Sequence, residues 1–292
     1  MTAAGIPIRP AARPVATRRP RLGARLSRAV LPAYTLLAVI YLFIPIVVMM
    51  AFSFNNPRGR QNITWQGFTV QNYFDVWSRS DITGPMTSSL IVAATATVLA
   101  TVLGTLIGLA LTRYEFRGRG PLNLLIYVPL ATPEVILGAS LLSLWVSAGV
   151  QRGLLTIIIA HVMFNVSYVV VTIRARLAGF NRSLEEAAMD LGANEWATFR
   201  KITLPLIMPG IIAAALLAFV LSIDDYVITL FVAGQTRTFP LWVYGASRFG
   251  VPPEVNVLGT LIFVVAFVLI VVQILWARRR ASIEQALAKE VK

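Results

Sequence analysis

Long apolar runs separated by short polar and basic stretches organise this chain. Runs near 31–54, 88–112, 122–148, 153–174, 206–232 and 256–277 are each long enough to cross ~30 Å of hydrocarbon as a helix, which takes about 20 residues. The pattern predicts an all-α membrane protein with six transmembrane helices. The six-helix domain covers 31–277, a disordered basic tail covers 1–30, and a short tail covers 278–292. Arg, Pro and Ala dominate the first thirty residues, which cannot bury enough apolar area to order themselves. Pro20 and Arg21 follow Arg18-Arg19 where an apolar stretch should begin, and no small-residue cleavage site closes the run near Phe54. The first span is therefore expected to be a retained signal anchor.

An even number of spans puts both termini on one side. With the termini in the cytoplasm, 20 of the 26 Lys and Arg residues fall inside; Arg58, Arg60, Arg79, Arg152, Arg237 and Arg248 fall outside. That bias follows the positive-inside rule and predicts a multi-pass protein with both termini in the cytoplasm. It also accounts for most of the net charge of +13 without a nucleic-acid partner.

Composition narrows the chemistry. The 292 residues are 57% hydrophobic with only 13% charged, and mean hydropathy is +0.73. Without cysteine there are no disulfides, thiolate metal sites or Cys nucleophiles, and one histidine cannot build a His-rich metal centre. None of the three lysines, Lys201, Lys289 and Lys292, completes a GxxxxGK[ST] loop, so any ATP chemistry must come from another chain. The non-membrane segments 55–87 and 233–255 are too small to fold as independent domains. Trp65, Phe68, Tyr73, Phe74 and Trp77 in the first of them read as headgroup-level anchors.

The segment Ser183 to Pro205, SLEEAAMDLGANEWATFRKITLP, reads as helix, glycine break, helix. Ser183 and Glu186 form a capping-box signature that would start a helix at Leu184. Gly192 can end it in a left-handed turn, Asn194 can cap the next helix, and Pro205 should stop that one. Trp196, Phe199 and Ile202 recur at helical spacing as an apolar edge. A helix pair of this kind outside the membrane suits a groove on a second protein.

Glu186-Ala187-Ala188, then Gly192, then Ile202-x-Leu204-Pro205 matches the EAA loop in every specified residue and spacing, and the chain resembles the permeases of binding-protein-dependent ABC importers. The resemblance implies the type I importer permease fold and a loop that couples to a cytoplasmic ATPase. It implies a contact surface drawn from Glu185, Glu186, Ala187, Ala188, Asp190, Gly192, Phe199, Ile202, Leu204 and Pro205. It further implies a second permease subunit of different sequence, an ATPase dimer, an extracytoplasmic substrate-binding protein and surrounding membrane lipid. It implies too that the chain sits in a bacterial cytoplasmic (inner) membrane and binds no cofactor itself, ATP and Mg belonging to the ATPase.

Charged residues inside spans are costly and tend to mark transport paths, at about 2.5–3.5 kcal/mol each on insertion scales. Glu134, Asp224 and Asp225 are such residues, and no cation lies within a span to neutralise them. They read as unpaired within the chain, facing water and a cationic solute, pairing with a partner subunit, or protonated. Counting along a continuous helix from Leu122 puts Glu134 roughly 18 Å in, near mid-membrane, in a span that Pro129, Pro133 and Gly138 make irregular. The same count along a span from Leu206 puts the two aspartates near its outer mouth. His161, Asn165, Tyr168 and Thr172 share one helical face and should line a path or a subunit interface. Thr101, Gly104, Thr105, Gly108 and Thr112 make a small-residue face suited to helix packing.

Pro133-Glu134-Val135-Ile136-Leu137-Gly138 and Ser222-Ile223-Asp224-Asp225-Tyr226-Val227-Ile228 are similar to the spermidine/putrescine permeases within that family. This likeness implies a path for a small cationic solute that involves Glu134, Asp224, Asp225, Tyr226, His161, Asn165 and Tyr168. The competing expectations are an importer permease for another small solute and a secondary transporter driven by proton binding at the acids.

Overall fold

The computed structural model describes residues 22–59 and 61–290, with side chains between 30 and 276. Residues 1–21, most of the expected tail, lie outside the described residues, as do Arg60 and residues 291–292. The chain divides at Phe52 into two units. The described residues of the first belong to one helix, α1 (Leu22–Phe52). Helix begins inside the stretch expected to be disordered, because Leu22, Ala24, Arg25, Leu26 and Arg28 are good helix formers and no proline intervenes before Pro32.

The second unit holds α2 (Asn72–Ser78), α3 (Ser80–Arg113), α4 (Arg119–Ala131), α5 (Glu134–Ser147), α6 (Leu154–Ala178), α7 (Ser183–Asp190) and α8 (Glu195–Thr198). A π-helical turn, Phe199–Thr203, joins α8 to α9 (Leu204–Ile223), and α10 (Val227–Val232), α11 (Phe239–Ser247) and α12 (Pro253–Glu290) follow. Among the described residues no strand forms beyond an isolated bridge between Asn55 and Phe68. Among the described residues five helical segments are long and apolar enough to cross a membrane: Val30–Phe52, Ser80–Arg113, Leu154–Ala178, Glu195–Ile223 and Pro253–Trp276. The pair α4 and α5 makes a sixth only as a broken span, bent by 110°.

That bend corrects the expectation of one continuous crossing over 122–148. Pro133 cannot donate to the helical ladder and forces extended backbone around Thr132 and itself, so α4 ends at Ala131 and Glu134 opens a new helix. A depth counted at a constant rise per residue therefore does not apply to Glu134. The run 206–232 is likewise interrupted, at Asp224–Tyr226. Pro205 does not stop a helix. It falls in the first turn of α9, where no interior donor is lost, and the preceding turn closes as Leu204 N–H donates to Phe199 O.

The core of the second unit is the packing of α3, α6 and α9, with Ala100, Leu109, Val169, Ile173, Ile207, Ala214 and Ala218 buried together. The small-residue face of α3 meets α6 as expected. A Cβ on Gly104 would stand 2.6 Å from Val169 Cβ, and one on Gly108 would stand 3.0 Å from Ile173 Cγ2, so only glycine permits this approach. Leu141 of α5 packs with Ile157 and Phe164 of α6 and Ile228 and Val232 of α10. At another end of the unit Val76, Ile82, Phe239 and Val257 unite α2, α3, α11 and α12. Arg79 bridges to Glu254 at 2.6 Å there, and Ser89 Oγ accepts from Phe239 N–H at 2.8 Å.

Asn55 organises the segment before α2. Its amide donates to Asn62 Oδ1 at 2.6 Å and Thr64 O at 2.8 Å, and its Oδ1 accepts from Gln66 N–H at 2.7 Å. This network leaves Trp65, Phe68, Phe74 and Trp77 exposed, whereas Tyr73 turns inward to share a 2.7 Å hydrogen bond with Ser53.

Candidate coupling surface and polar break

Local sequence builds the loop after α6. Asn181 Oδ1 accepts from both Ser183 N–H (3.1 Å) and Ser183 Oγ–H (2.9 Å), so Asn181, rather than a Ser183/Glu186 capping box, sets the start of α7 at Ser183. Gly192, at φ +90°, closes the helix in the left-handed region, with Gly192 N–H donating to Met189 O and Ala193 N–H to Ala188 O. Asn194 Oδ1 then accepts from Ala197 N–H at 2.8 Å and caps α8, as its position predicted.

The structure divides the expected contact residues. Glu186, Ala187, Asp190, Gly192 and Pro205 are exposed; Ala188, Phe199, Ile202 and Leu204 are half-buried; Glu185 is buried. Phe199 packs against the α3–α6–α9 core while its ring stacks on Trp196 at 5.8 Å, so the two remain neighbours at the expected helical spacing. The exposed apolar knobs are instead Leu184, Met189, Leu191 and Trp196, with Leu191 90% and Trp196 68% exposed. Apolar side chains on a helix otherwise rich in Glu and Asp were the available signal for the first three.

Glu185 is an internal tie. Arg113 Nη2, at the end of α3, reaches its carboxylate at 2.5 Å, and Thr203 Oγ donates to the same oxygen. Arg113 also stands over the Phe180 ring at 5.6 Å, and Arg182 Nη2 donates to Thr112 O at 3.3 Å. The loop is thereby held against the end of α3. Replacing Arg113 with methionine leaves the Glu185 carboxylate without its cation, at a cost of about 3 kcal/mol. Limited proteolysis should then cut within 183–204 in the Arg113→Met protein under conditions that spare the wild type.

The second cluster surrounds the break between α9 and α10. Asp225 is not unpaired, contrary to the sequence-based expectation. Its Oδ2 accepts from Thr229 N–H (2.8 Å) and Thr229 Oγ–H (2.7 Å), its Oδ1 accepts from Ile228 N–H (3.3 Å), and His161 Nε2 stands 3.2 Å away. The side chain is 9% exposed and satisfies the first amides of α10. His161 is buried and shares a 3.0 Å hydrogen bond with Thr229 Oγ, while Asn165 donates to Ser222 Oγ at 2.7 Å. These two members of the polar stripe on α6 thus stitch it to α9 and α10. Thr172 bonds back to Tyr168 O at 2.8 Å, and Tyr168 lies half-buried against Phe164 at 5.0 Å.

Glu134 and Asp224 differ in kind from Asp225. Both are exposed. Glu134 opens α5 within electrostatic reach of both aspartates and of Tyr168. Gly138, one turn later, faces the Phe231 ring with no room for a side chain, and this close approach sets α5 beside α10. Asp224 borders a cleft of about 420 Å³ lined by Ile223, Tyr226, Phe239, Val243, Tyr244 and Ile262 among others. Tyr226 and Tyr244 lie 4.7 Å apart, and Arg248 stands 4.8 Å over the Tyr244 ring and donates to its hydroxyl at 2.7 Å. That hydrogen bond lowers the Tyr244 phenol below its ordinary pKa. Tyr244 and Arg248 were not singled out from sequence; a Tyr and an Arg four residues apart in a short segment carry no distinctive pattern.

Residues 100–282 match the family described as the binding-protein-dependent transport system inner membrane component. The chain belongs to that family. It is 38% identical to the spermidine/putrescine transport system permease protein PotC of Escherichia coli K12 over 243 residues, 83% of this chain and 91% of that protein. It is 41% identical to the putrescine transport system permease protein PotI of the same strain over 235 residues, 78% of this chain and 83% of that protein. The fold matches a bacterial ABC transporter involved in import of the acidic polysaccharide alginate, with TM-score 0.63 and 17% identity over 90% of this chain and 99% of that one. It also matches an inward-facing MetNI methionine ABC transporter, with TM-score 0.54 and 17% identity over 68% and 93%. The fold is therefore that of an ABC importer permease, a multi-pass membrane subunit.

Proposed function

We propose that this chain is one of two permease subunits, of different sequence, in an ATP-driven importer of polyamines such as spermidine or putrescine. The observation that carries the reading is its 38% identity to a spermidine/putrescine permease along 91% of that relative. The chemistry of the break supports it. An exposed carboxylate, Asp224, beside Tyr226 offers a primary ammonium both a counter-charge and an aromatic contact, and Glu134 offers a second carboxylate for the other end of a diamine. Asp225, His161 and Asn165 keep the break in shape.

The termini and the 183–205 loop face the cytoplasm of a bacterial inner membrane, and Leu184, Met189, Leu191 and Trp196 seat in an ATPase dimer. ATP and Mg bind there, not here. An extracytoplasmic binding protein delivers the solute to the opposite face, and nucleotide-driven closure of the ATPase swings the spans between their two openings. Cells that depend on the complete transport system should take up radiolabelled spermidine or putrescine, and an excess of a neutral diol of equal length should not compete. Competition by the neutral diol, or no uptake of either amine, would overturn the assignment of substrate class.

A further inference from the structure

A second cleft, of about 430 Å³, opens between α3, α4 and α6 and is lined by Leu111, Thr112, Arg119, Tyr127, Arg174 and Ala178 among others. None of its lining residues is acidic. Arg174 commits one donor to a neutral partner, Asn123 Oδ1, at 2.7 Å, and makes no ion pair among the described residues. Arg119 has a single distant carboxylate, Glu115 at 3.5 Å, whose side chain is 94% exposed and so contributes almost nothing. Arg113, at the same end of α3, is by contrast paired with Glu185. Two guanidinium groups thus share one cleft with spare donors and no anion.

The surface around the cleft says what kind of anion fits. Leu124, Leu125 and Val128 of α4 are exposed and apolar, and Tyr127, which lines the cleft, is half exposed beside them. An apolar helix face running up to a tyrosine and two arginines is the profile of a membrane at headgroup level, with acyl chains against the leucines and a phosphate at the guanidinium forks. The charge bias along the sequence puts this end of α3, α4 and α6 on the cation-rich side. We infer that Arg119 and Arg174, with Tyr127 and Thr112, bind the phosphate diester of an anionic membrane phospholipid between α3, α4 and α6. The site adjoins the base of the coupling loop, since Thr112 O also accepts from Arg182. A bound headgroup would tie α4 to the helices from which the loop hangs.

Native mass spectrometry of the full-length chain in its membrane complex, equilibrated with mixed phosphatidylglycerol and phosphatidylcholine, reads the preference directly. The wild type should retain phosphatidylglycerol selectively, and Arg119→Gln with Arg174→Gln should lower its apparent affinity by about 10- to 30-fold. The charge-preserving pair Arg119→Lys and Arg174→Lys should keep most of the preference, which separates loss of charge from loss of folding. Arg117→Gln, an exposed arginine outside the cleft, should change nothing. Equal retention of both lipids by the wild type, or an equal loss on Arg117→Gln, overturns the site. Displacement of the lipid by inorganic phosphate overturns the lipid as its occupant.

Discussion

Gly192→Val is expected to abolish ATP-driven uptake while leaving the chain in the membrane at normal abundance. Gly192 holds φ +90°, where a β-branched residue is strained by about 1–3 kcal/mol, and relaxing that strain rotates α8 relative to α7. Leu191 and Trp196 flank the turn and are the most exposed large apolar side chains of the loop. Burying a Leu and a Trp in a partner's groove is worth about 3–6 kcal/mol together, so a turn that misplaces them weakens docking by about 100-fold or more. ATPase activity of the assembled complex should then persist without dependence on loaded binding protein. Gly192→Ala, which adds less strain, should fall between the two. Normal uptake by Gly192→Val would remove the loop from the coupling step.

The second large effect concerns the acids. Glu134→Gln combined with Asp224→Asn preserves size and removes two charges that no cation of this chain is seen to pair with among the described residues. A hydrogen bond to a charged group contributes about 1.5–3 kcal/mol, so losing two should reduce polyamine uptake by about 100-fold or more, with little change in thermal stability. Asp225→Asn should behave in the opposite way. Only one oxygen remains to satisfy the Ile228 and Thr229 amides and the Thr229 hydroxyl, so the midpoint of thermal unfolding should drop while the apparent KM for uptake holds. If the Asp225 variant loses uptake with stability intact and the Glu134/Asp224 variant transports normally, the roles assigned to the three acids are reversed.

The contrast between those acids shows what the sequence could convey. Apolar run length marked every membrane-crossing region, because lipid imposes length and composition locally. The turn at Gly192 and the cap at Asn194 were legible for the same reason: both are made by residues within a few positions of one another. Asp225 read as unpaired because 206–232 read as one continuous helix, whereas the break at Asp224–Tyr226 frees the Ile228 and Thr229 amides three and four positions on for its carboxylate; Glu185 read as a surface contact because Arg113 stands 72 positions away. Pro133 announced an irregular helix but not a 110° bend, which depends on where Gly138 lets α5 meet Phe231. Phe199 read as part of an exposed edge because the α3 and α6 residues it packs against lie far away in sequence.

Proteoliposomes containing this chain, its partner permease and the ATPase, with ATP inside and spermidine-loaded binding protein outside, test the whole account in one measurement. Accumulation of radiolabelled spermidine should require both ATP and the binding protein, and should be unaffected when an ionophore dissipates the proton gradient. Accumulation that proceeds without ATP and collapses with the proton gradient would contradict the account.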